Sequence, residues 1–408
     1  MGYDVIVVGA RVAGSVTGML LARAGLRVLV IDQARFPSDT LSTHQLQPPG
    51  VARLAEWGLL DKLLATGVPP TRRVRFNTVG AALDGSYPAD GFMLSPRRTV
   101  LDAMLVDAAR DAGAEVREAT TVEELTGEGS IVTGVRCRAK ETGRLTTEAA
   151  RLVIGADGRR SRIAQLVGAR EYRARQAGTT GCYTYWSGLP IDAGEIYALD
   201  GAVVGAWPTH DGQVITFTEW PAAQFAEFRR EPESSLLDML DRAGTLGARA
   251  RGATRAAPIR FATELPNVFR KPYGPGWALV GDAGLTMDPI TGLGMGHALR
   301  DAELVAEAVR LGLDSGPSLP KLLARYARAR DRETTPMYDF TVGLAQLRPV
   351  SSAEQRMFAA ISADPIATTA FLGTISGMLP MQRFFSPANL IRLVGVRGFL
   401  QLARNRPG

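Results

Sequence analysis

The stretch "YDVIVVGARVAGSVTGMLLARAGLRVLVID", residues 3–32, decides how the chain is read. "YDVIVVGA" is a short, nearly continuous apolar run rich in β-branched residues, as a strand buried on both faces requires. "VAGSVTGMLLARAG" has helical spacing with small residues on one face, and "LRVLVID" is a second buried strand. Strand, helix and strand in about thirty residues make a βαβ unit of the dinucleotide-binding kind. Gly9 makes the tight turn, and Gly14 lets the helix pack on the strand. The middle glycine of the usual spelling is replaced by Arg11. Its Cβ stands where a cofactor backbone would approach, so the side chain either turns aside or itself meets a phosphate, which a guanidinium does well. The helix N-terminus presents its partial positive charge at the same point. Asp32 ends the second strand eighteen positions beyond Gly14, where a carboxylate accepts hydrogen bonds from an adenosine ribose. Ala13 in the turn and Gln33 beside the acid complete this candidate set.

Composition narrows the classes. A chain of 408 residues makes one large domain or two to three fused ones, and buries a sizeable core without disulfides or metal. Its cysteines, Cys137 and Cys182, form no CxxC pair, and His44, His210 and His297 are widely separated, so no metal site is expected. The net charge of +6 comes from arginines scattered among acids. That dispersal argues against a nucleic-acid stripe and for surface solubility with a bias toward anionic ligands. The first strand begins at Tyr3, which leaves no room for a leader, and no apolar run is long enough to span a membrane. The cytoplasm is therefore the expected compartment.

Beyond the opening unit, "PPGVARLAEWGLLDKLLATG" reads as one amphipathic helix started by proline, with Lys62 on its surface. "RRTVLDAMLVDAARDAG" reads as another, followed by a strand. "SIVTGVRCRAK" and "RLTTEAARLVIGADG" form a hairpin around "ETG". From 176 to 220 the pattern alternates and carries many aromatics, which predicts antiparallel sheet. "GWALVGDAG" is one more buried strand, and the chain is mainly helical from Gly292 onward.

Two later stretches, "LVIGADGRRSRIAQLVGA" (152–169) and "GWALVGDAGLTMDPITGLGMGHALRDAEL" (276–304), together with "RFPSDTLSTHQ" (35–45), resemble class A flavoprotein monooxygenases and their relatives, including geranylgeranyl reductases and flavin halogenases. The resemblance spans the chain in motif order. It implies an α/β, Rossmann-like three-layer fold with FAD bound in an extended pose, an antiparallel β-sheet substrate domain and C-terminal helices. The FAD-binding domain is then discontinuous (1–75, 96–170 and 268–330), the substrate domain comprises 76–95 and 171–267, and 331–408 is a C-terminal helical region. By the same resemblance Asp282 holds ribityl or ribose hydroxyls. Pro289, Gly292, Leu293, Gly294 and Met295 bring backbone to the flavin pyrimidine edge. Asp157 and Gly158, with Ser161, lie near the phosphates. Arg98 opens a helix beside the FAD with Asp102 one turn on, and Arg35 either reaches toward the adenine or is a surface arginine. The arginine that usually follows the serine of that motif falls at Ala164, which weakens the link to NAD(P)H more than the link to FAD.

A flavin that handles oxygen needs a dry cavity. Tyr183, Tyr185 and Trp207 are the candidates to roof it, with Tyr183 and Tyr185 on one face of their strand and Trp186 on the other. His44 is the candidate proton-handling group, set against the commoner reading of a hydrogen-bonded loop histidine. His210 reads as a solvated hairpin residue, His297 as a helix cap, and Asp288 as either a cofactor neighbour or a turn former. The expected activity is NAD(P)H-dependent hydroxylation or epoxidation of a lipophilic aromatic or polycyclic small molecule by molecular oxygen. Halogenation is disfavoured, because "YTYWSGLP" lacks the WxWxIP spacing and no lysine suits catalysis. Double-bond reduction of the geranylgeranyl-reductase type is the alternative, and a non-catalytic flavin carrier the third. The apolar, basic segment 371–408 builds a tunnel, covers the site or a subunit interface, or touches a membrane surface.

Overall fold

The computed structural model describes residues 2–176, 178–313 and 318–404. Strand β1 (Tyr3–Val8), helix α1 (Val12–Arg23) and strand β2 (Val28–Ile31) form the βαβ unit the sequence predicts. β1 and β2 pair in parallel with Val5 opposite Val28 and Val7 opposite Val30. Val5, Ile6, Val7, Leu29 and Val30 are all fully buried. Burying a side chain of this size contributes about 2 kcal/mol. Gly14 and Gly18, one turn apart on α1, set how closely the helix lies. A Cβ at Gly14 would collide with the Gly9 carbonyl, and one at Gly18 would press on Val30 at 2.6 Å.

This unit is the centre of an eight-stranded sheet. Its path runs from Tyr273–Gly274 through Trp277–Leu279, Leu145–Gly155, β1 and β2 to Glu115–Arg117. Thr120–Glu128 and Ile131–Ala139 continue from Leu145–Gly155 as an antiparallel meander, which contains the hairpin expected around "ETG". "GWALVGDAG" supplies Trp277–Leu279, parallel to Leu145–Gly155 as expected of a buried strand. Helices Arg98–Asp111 and Gly294–Leu313 pack with α1 on one face.

The second sheet has the order Thr254–Arg255, Thr179–Ser187, Gln213–Pro221, Ala202–Pro208, Gly194–Leu199, Arg73–Thr78, Ala81–Ser86, with Arg260–Ala262 paired to Thr179–Ser187. It is antiparallel except where Gly194–Leu199 meets Arg73–Thr78. The alternation read from the sequence holds. Tyr183, Tyr185, Trp207 and Phe217 share one core, while Trp186 and Trp220 belong to the core on the opposite face. A short third sheet joins Glu171–Arg175, Asn267–Arg270 and Leu285–Thr286.

One expected helix is two. "PPGVARLAEWGLLDKLLATG" forms Pro48–Glu56 and Leu60–Leu64, separated where Gly58 takes a left-handed φ of +73°. The C-terminal part is helical, and Ser352–Ser362 and Pro365–Ile375 pack on strand Ala81–Ser86. Among the described residues no single helix is long and apolar enough to cross a membrane. Of the segment 371–408, the last four residues lie outside the described residues.

Candidate functional site

The β1–α1 turn, the end of β2, the start of helix Arg98–Asp111, loop 156–163 and segment 281–301 converge on one cleft of about 890 Å³. The second sheet closes it with Tyr183, Phe217 and Ala262. Of the residues singled out in the sequence, Gly9, Arg11, Ala13, Asp32, Gln33, Arg98, Asp157, Gly158, Asp282, Pro289, Gly292, Gly294, Met295 and Tyr183 line this cleft.

The turn is built by Gly9 and Asp32 together. Gly9 has φ +104°, and a Cβ there would collide with the Ala156 carbonyl. Asp32 accepts from the Ala10 amide at 2.6 Å through Oδ2 and from the Ala34 amide at 2.7 Å through Oδ1. The acid therefore clamps the turn with one lone pair on each oxygen and keeps the others for a ligand. Gly14 stands behind this turn and shapes it without lining the cleft.

Arg11 turns aside. Its Nη1 donates to Asp102 Oδ2 at 2.6 Å and its Nη2 to Ser38 Oγ at 3.0 Å. Arg98 holds the same carboxylate, donating from Nη2 to Oδ1 at 2.9 Å, as the i,i+4 spacing predicts. Asp102 is completely buried between two arginines that both reach the cleft. Two cations on one anion leave a net positive charge, beside the N-terminus of α1, for an anionic group to meet.

Asp157 caps a helix: its Oδ1 accepts from Ser161 Oγ at 2.5 Å and its Oδ2 from the Ile163 amide at 3.1 Å, at the start of Arg162–Leu166. Burial raises its carboxyl, and those hydrogen bonds work against the rise. Asp282 differs. Its carboxylate opens into the cleft and has no hydrogen-bond partner among the described residues. The surrounding walls still withdraw enough water to push its carboxyl upward, against the pull of Arg98 and Arg159. Helix Gly294–Leu313 then begins at the cleft, where a Cβ on Gly294 or Gly296 would project into open space. His297 lines the cleft with its Nδ1 buried and unpartnered, and burial, then Arg300 and Arg53, keep its ring neutral.

These features fit FAD. An acceptor-only acid would face the hydroxyls, paired cations the diphosphate, and a helix N-terminus meets the cleft through bare glycines whose Cβ positions touch no protein atom.

His44, Tyr185 and Trp207 stand behind the lining. His44 is fully buried at φ +60°, with Nδ1 2.8 Å from the Ser42 carbonyl and Nε2 2.7 Å from the Tyr185 hydroxyl. A carbonyl only accepts, so Nδ1–H donates to Ser42 and Nε2 accepts from Tyr185. Burial and then Arg98 push the His44 pKa down to about 3, so the ring is neutral near neutral pH and positions Tyr185. Tyr185 packs edge-on against Tyr183, which does line the cleft. Trp207 donates to the Thr43 carbonyl at 3.2 Å and so holds loop 40–43 against the cleft.

Three residues lie off the cleft lining, and one of them, His210, corrects an expectation. Arg35 takes the surface alternative: it pairs with Glu141, both side chains exposed, and does not line the cleft. The Leu293 side chain is buried against Gly377, whereas the role expected of this residue belongs to its backbone. His210 is buried: its Nε2 meets Thr66 Oγ1 at 2.8 Å, and its Nδ1 accepts from the Arg97 amide at 3.2 Å. Thr66 comes from a part of the chain whose proximity to a hairpin 144 residues away is invisible in sequence. Asp288 does both things expected of it, accepting from the Ile290 amide at 3.0 Å and lining the cleft. Arg97, Arg159 and Glu219 were not foreseen. Arg97 lies over the Tyr185 ring at 5.0 Å. Only Glu219 carried a signal: it sits two residues beyond Phe217 on an alternating strand, hence on the same face.

The comparisons with known proteins agree with this geometry. Residues 2–341 match the FAD binding domain family. The chain is 28% identical over 362 residues to menaquinone reductase of Mycolicibacterium smegmatis, covering 80% of this chain and 81% of that protein. It is 28% identical over 346 residues to digeranylgeranylglycerophospholipid reductase of Methanosarcina acetivorans, covering 82% and 81%. Its fold is similar to that of the flavin-dependent brominase Bmp2, with a TM-score of 0.84 at 18% identity over 100% of both chains. The chain thus belongs to the FAD binding domain family, with a Rossmann-like α/β flavoprotein fold, and is an FAD-dependent oxidoreductase.

Proposed function

We propose that the enzyme reduces a carbon–carbon double bond of a lipophilic substrate, drawing electrons from transiently bound NAD(P)H. The observation that carries this reading is the similarity, over four-fifths of the chain, to two reductases named for large lipophilic molecules, a menaquinone and a digeranylgeranyl phospholipid. The division of the chain into a discontinuous cofactor domain, a substrate domain and a helical C-terminal region belongs to the same proposal.

Bound FAD would supply hydride transfer, and the chain supplies placement, dryness and charge. Asp32 would receive the adenosine ribose, the α1 N-terminus with Arg98 and Arg11 the pyrophosphate, and Asp282 the ribityl hydroxyls. The amides opening helix Gly294–Leu313 would face the electron-rich edge of the ring. Tyr183 and Phe217, with Leu285 and Met287, form the less polar side of the cleft and exclude water from an alkyl chain. His44, held neutral, fixes Tyr185 and through it the edge of Tyr183. Trp207 keeps loop 40–43 in place over the same side.

A second reading, oxygen transfer to an aromatic substrate, is favoured by the Tyr183–Tyr185–Phe217 wall, whose ring edges and faces suit a planar ring. One experiment separates the two. The purified protein is reduced anaerobically with NADPH or NADH, then given either a polyprenyl acceptor or oxygen with an aromatic panel. Gain of two hydrogens by the prenyl chain supports the first reading, and oxygen incorporation into a ring supports the second. A flavin that neither nucleotide reduces identifies a carrier and sinks both.

A further inference from the structure

Most buried or half-buried acids in this chain meet arginine, as Asp102, Asp301 and Glu195 do. One pair does not. Glu219 lies on strand Gln213–Pro221, opposite Gly181 and Val203, on the face that carries Phe217 toward the cleft. It is fully buried, and neither carboxylate oxygen receives a hydrogen from a donor among the described residues. Its neighbours within hydrogen-bonding reach are Asp288 and Thr179. Asp288 is itself 2% exposed, yet lines the cleft directly before Pro289. Its Oδ1 accepts from the Ile290 amide at 3.0 Å, its Oδ2 accepts from the Thr179 hydroxyl, and its amide donates to Asn267 at 2.8 Å. Neither acid is in a salt bridge among the described residues.

Two carboxyls in contact, dry and without a cation, cannot both be ionised. We propose that Glu219 and Asp288 share one proton at the wall of the cleft, and that Asp288 passes this proton to the group reduced there. At rest the Glu219 hydroxyl donates to the Asp288 carboxylate, which Thr179 and the Ile290 amide stabilise. Burial and the Asp288 charge both raise the Glu219 carboxyl well above the ordinary carboxylate range, and among the described residues Asp288 is the charged group that acts on it. Gly181, with no side chain opposite Glu219, leaves room for the acid on a face otherwise filled by aromatics.

The step balances. Reduced flavin held in the cleft would supply the hydride for one carbon of a double bond, and the pair would give its proton to the other carbon. The pair is left doubly charged, a state its burial disfavours, and is refilled by a proton from water reaching the cleft. Delivery rests on the proposed reductase reading, whereas the shared proton does not.

The apoprotein tests the sharing by infrared spectroscopy. The wild type should show the carbonyl stretch of a protonated carboxylic acid at neutral pH. Glu219→Gln, which keeps shape and can donate to Asp288, should lose it, and Asp288→Asn should move its titration to lower pH. No such band in the wild type, or a band that survives Glu219→Gln, overturns the proposal. The holoenzyme tests delivery by single-turnover substrate reduction. The wild-type rate should fall as pH rises through the titration of the pair, and Glu219→Gln should be slower by roughly a hundredfold with that limb gone. A Glu219→Gln enzyme that keeps its flavin and its wild-type pH profile overturns delivery. Wild-type protein that binds no FAD sinks the cofactor reading alone, since the apoprotein band still decides whether the proton is shared.

Discussion

Asp102 offers a perturbation whose two consequences have opposite signs. It is fully buried and bridges Arg11 and Arg98. Asp102→Asn keeps the shape and removes the charge, which leaves two guanidinium groups facing one another. Breaking a buried ion pair by removing one partner costs about 3–5 kcal/mol. Arg11 retains 28% exposure and its bonds to Ser38, so the lower figure applies. A loss of about 3 kcal/mol lowers the melting temperature by on the order of 5 °C in a chain this large. FAD affinity should move the other way. A unit charge roughly 6 Å away, in an effective dielectric of about 40, contributes roughly 1 kcal/mol, and Asp102 is the charge that opposes a diphosphate. Removing it should tighten FAD severalfold at low salt, and the gain should shrink as salt rises. The assays are thermal unfolding of the apoprotein and fluorescence titration of FAD across a salt series. A variant that melts like the wild type would falsify the buried pairing, and one that binds FAD more weakly at low salt would show that Asp102 serves the anion by positioning the two arginines rather than opposing it by charge.

Further outcomes follow from neighbouring residues. Asp282→Ala should purify folded but without stoichiometric FAD, because its charge-assisted bonds to cofactor hydroxyls are lost; flavin retained at one per chain would place the acid elsewhere. Gly294→Val should leave the apoprotein melting temperature nearly unchanged, since its side chain meets open space, yet abolish flavin binding; a large drop in apoprotein stability would mean the space is filled by protein. His44 has its folded pKa lowered from 6.5 to about 3, so it binds a proton in the unfolded chain and none in the folded one across that window. Its contribution is fully present above 6.5 and is lost as pH falls, at on the order of 1 kcal/mol per pH unit. Denaturant titrations of His44→Gln should show a flatter acid side than the wild type, and identical slopes would mean the ring is not held neutral.

How much of this was legible depends on the distance over which each signal acts. The βαβ unit could be read because strand burial, helix period and the Gly9 turn are all local, and they agree. The Arg98–Asp102 pair followed from helical spacing alone. The break at Gly58 was missed because an apolar helical pattern continues on both sides of it, and only the left-handed backbone ends the helix. The second partner of Asp102 was not legible, since nothing near Arg11 says that a residue 91 positions away will face it. His210 reads as polar and turn-bound, but Thr66 and the Arg97 amide bury it. Glu219 shows both limits. Its strand face was available from alternation, whereas the proximity of Asp288 depends on how segment 281–301 crosses that face.

The two large sheets are interleaved along the chain. Strands 73–86 leave between β2 and helix Arg98–Asp111, and the first sheet regains strands 273–279 only after the second sheet has been traversed. The first sheet therefore cannot finish until every strand of the second has been made, and most pairings in the two sheets close long loops. Long-range pairings of this kind fold slowly and leave apolar strand edges open in the meantime. The same threading bars the substrate wall from being exchanged as a single contiguous cassette. Any graft that carries Thr179–Pro221 without residues 73–86 leaves Gly194–Leu199 unpaired on one side, an edge open to pairing with another chain.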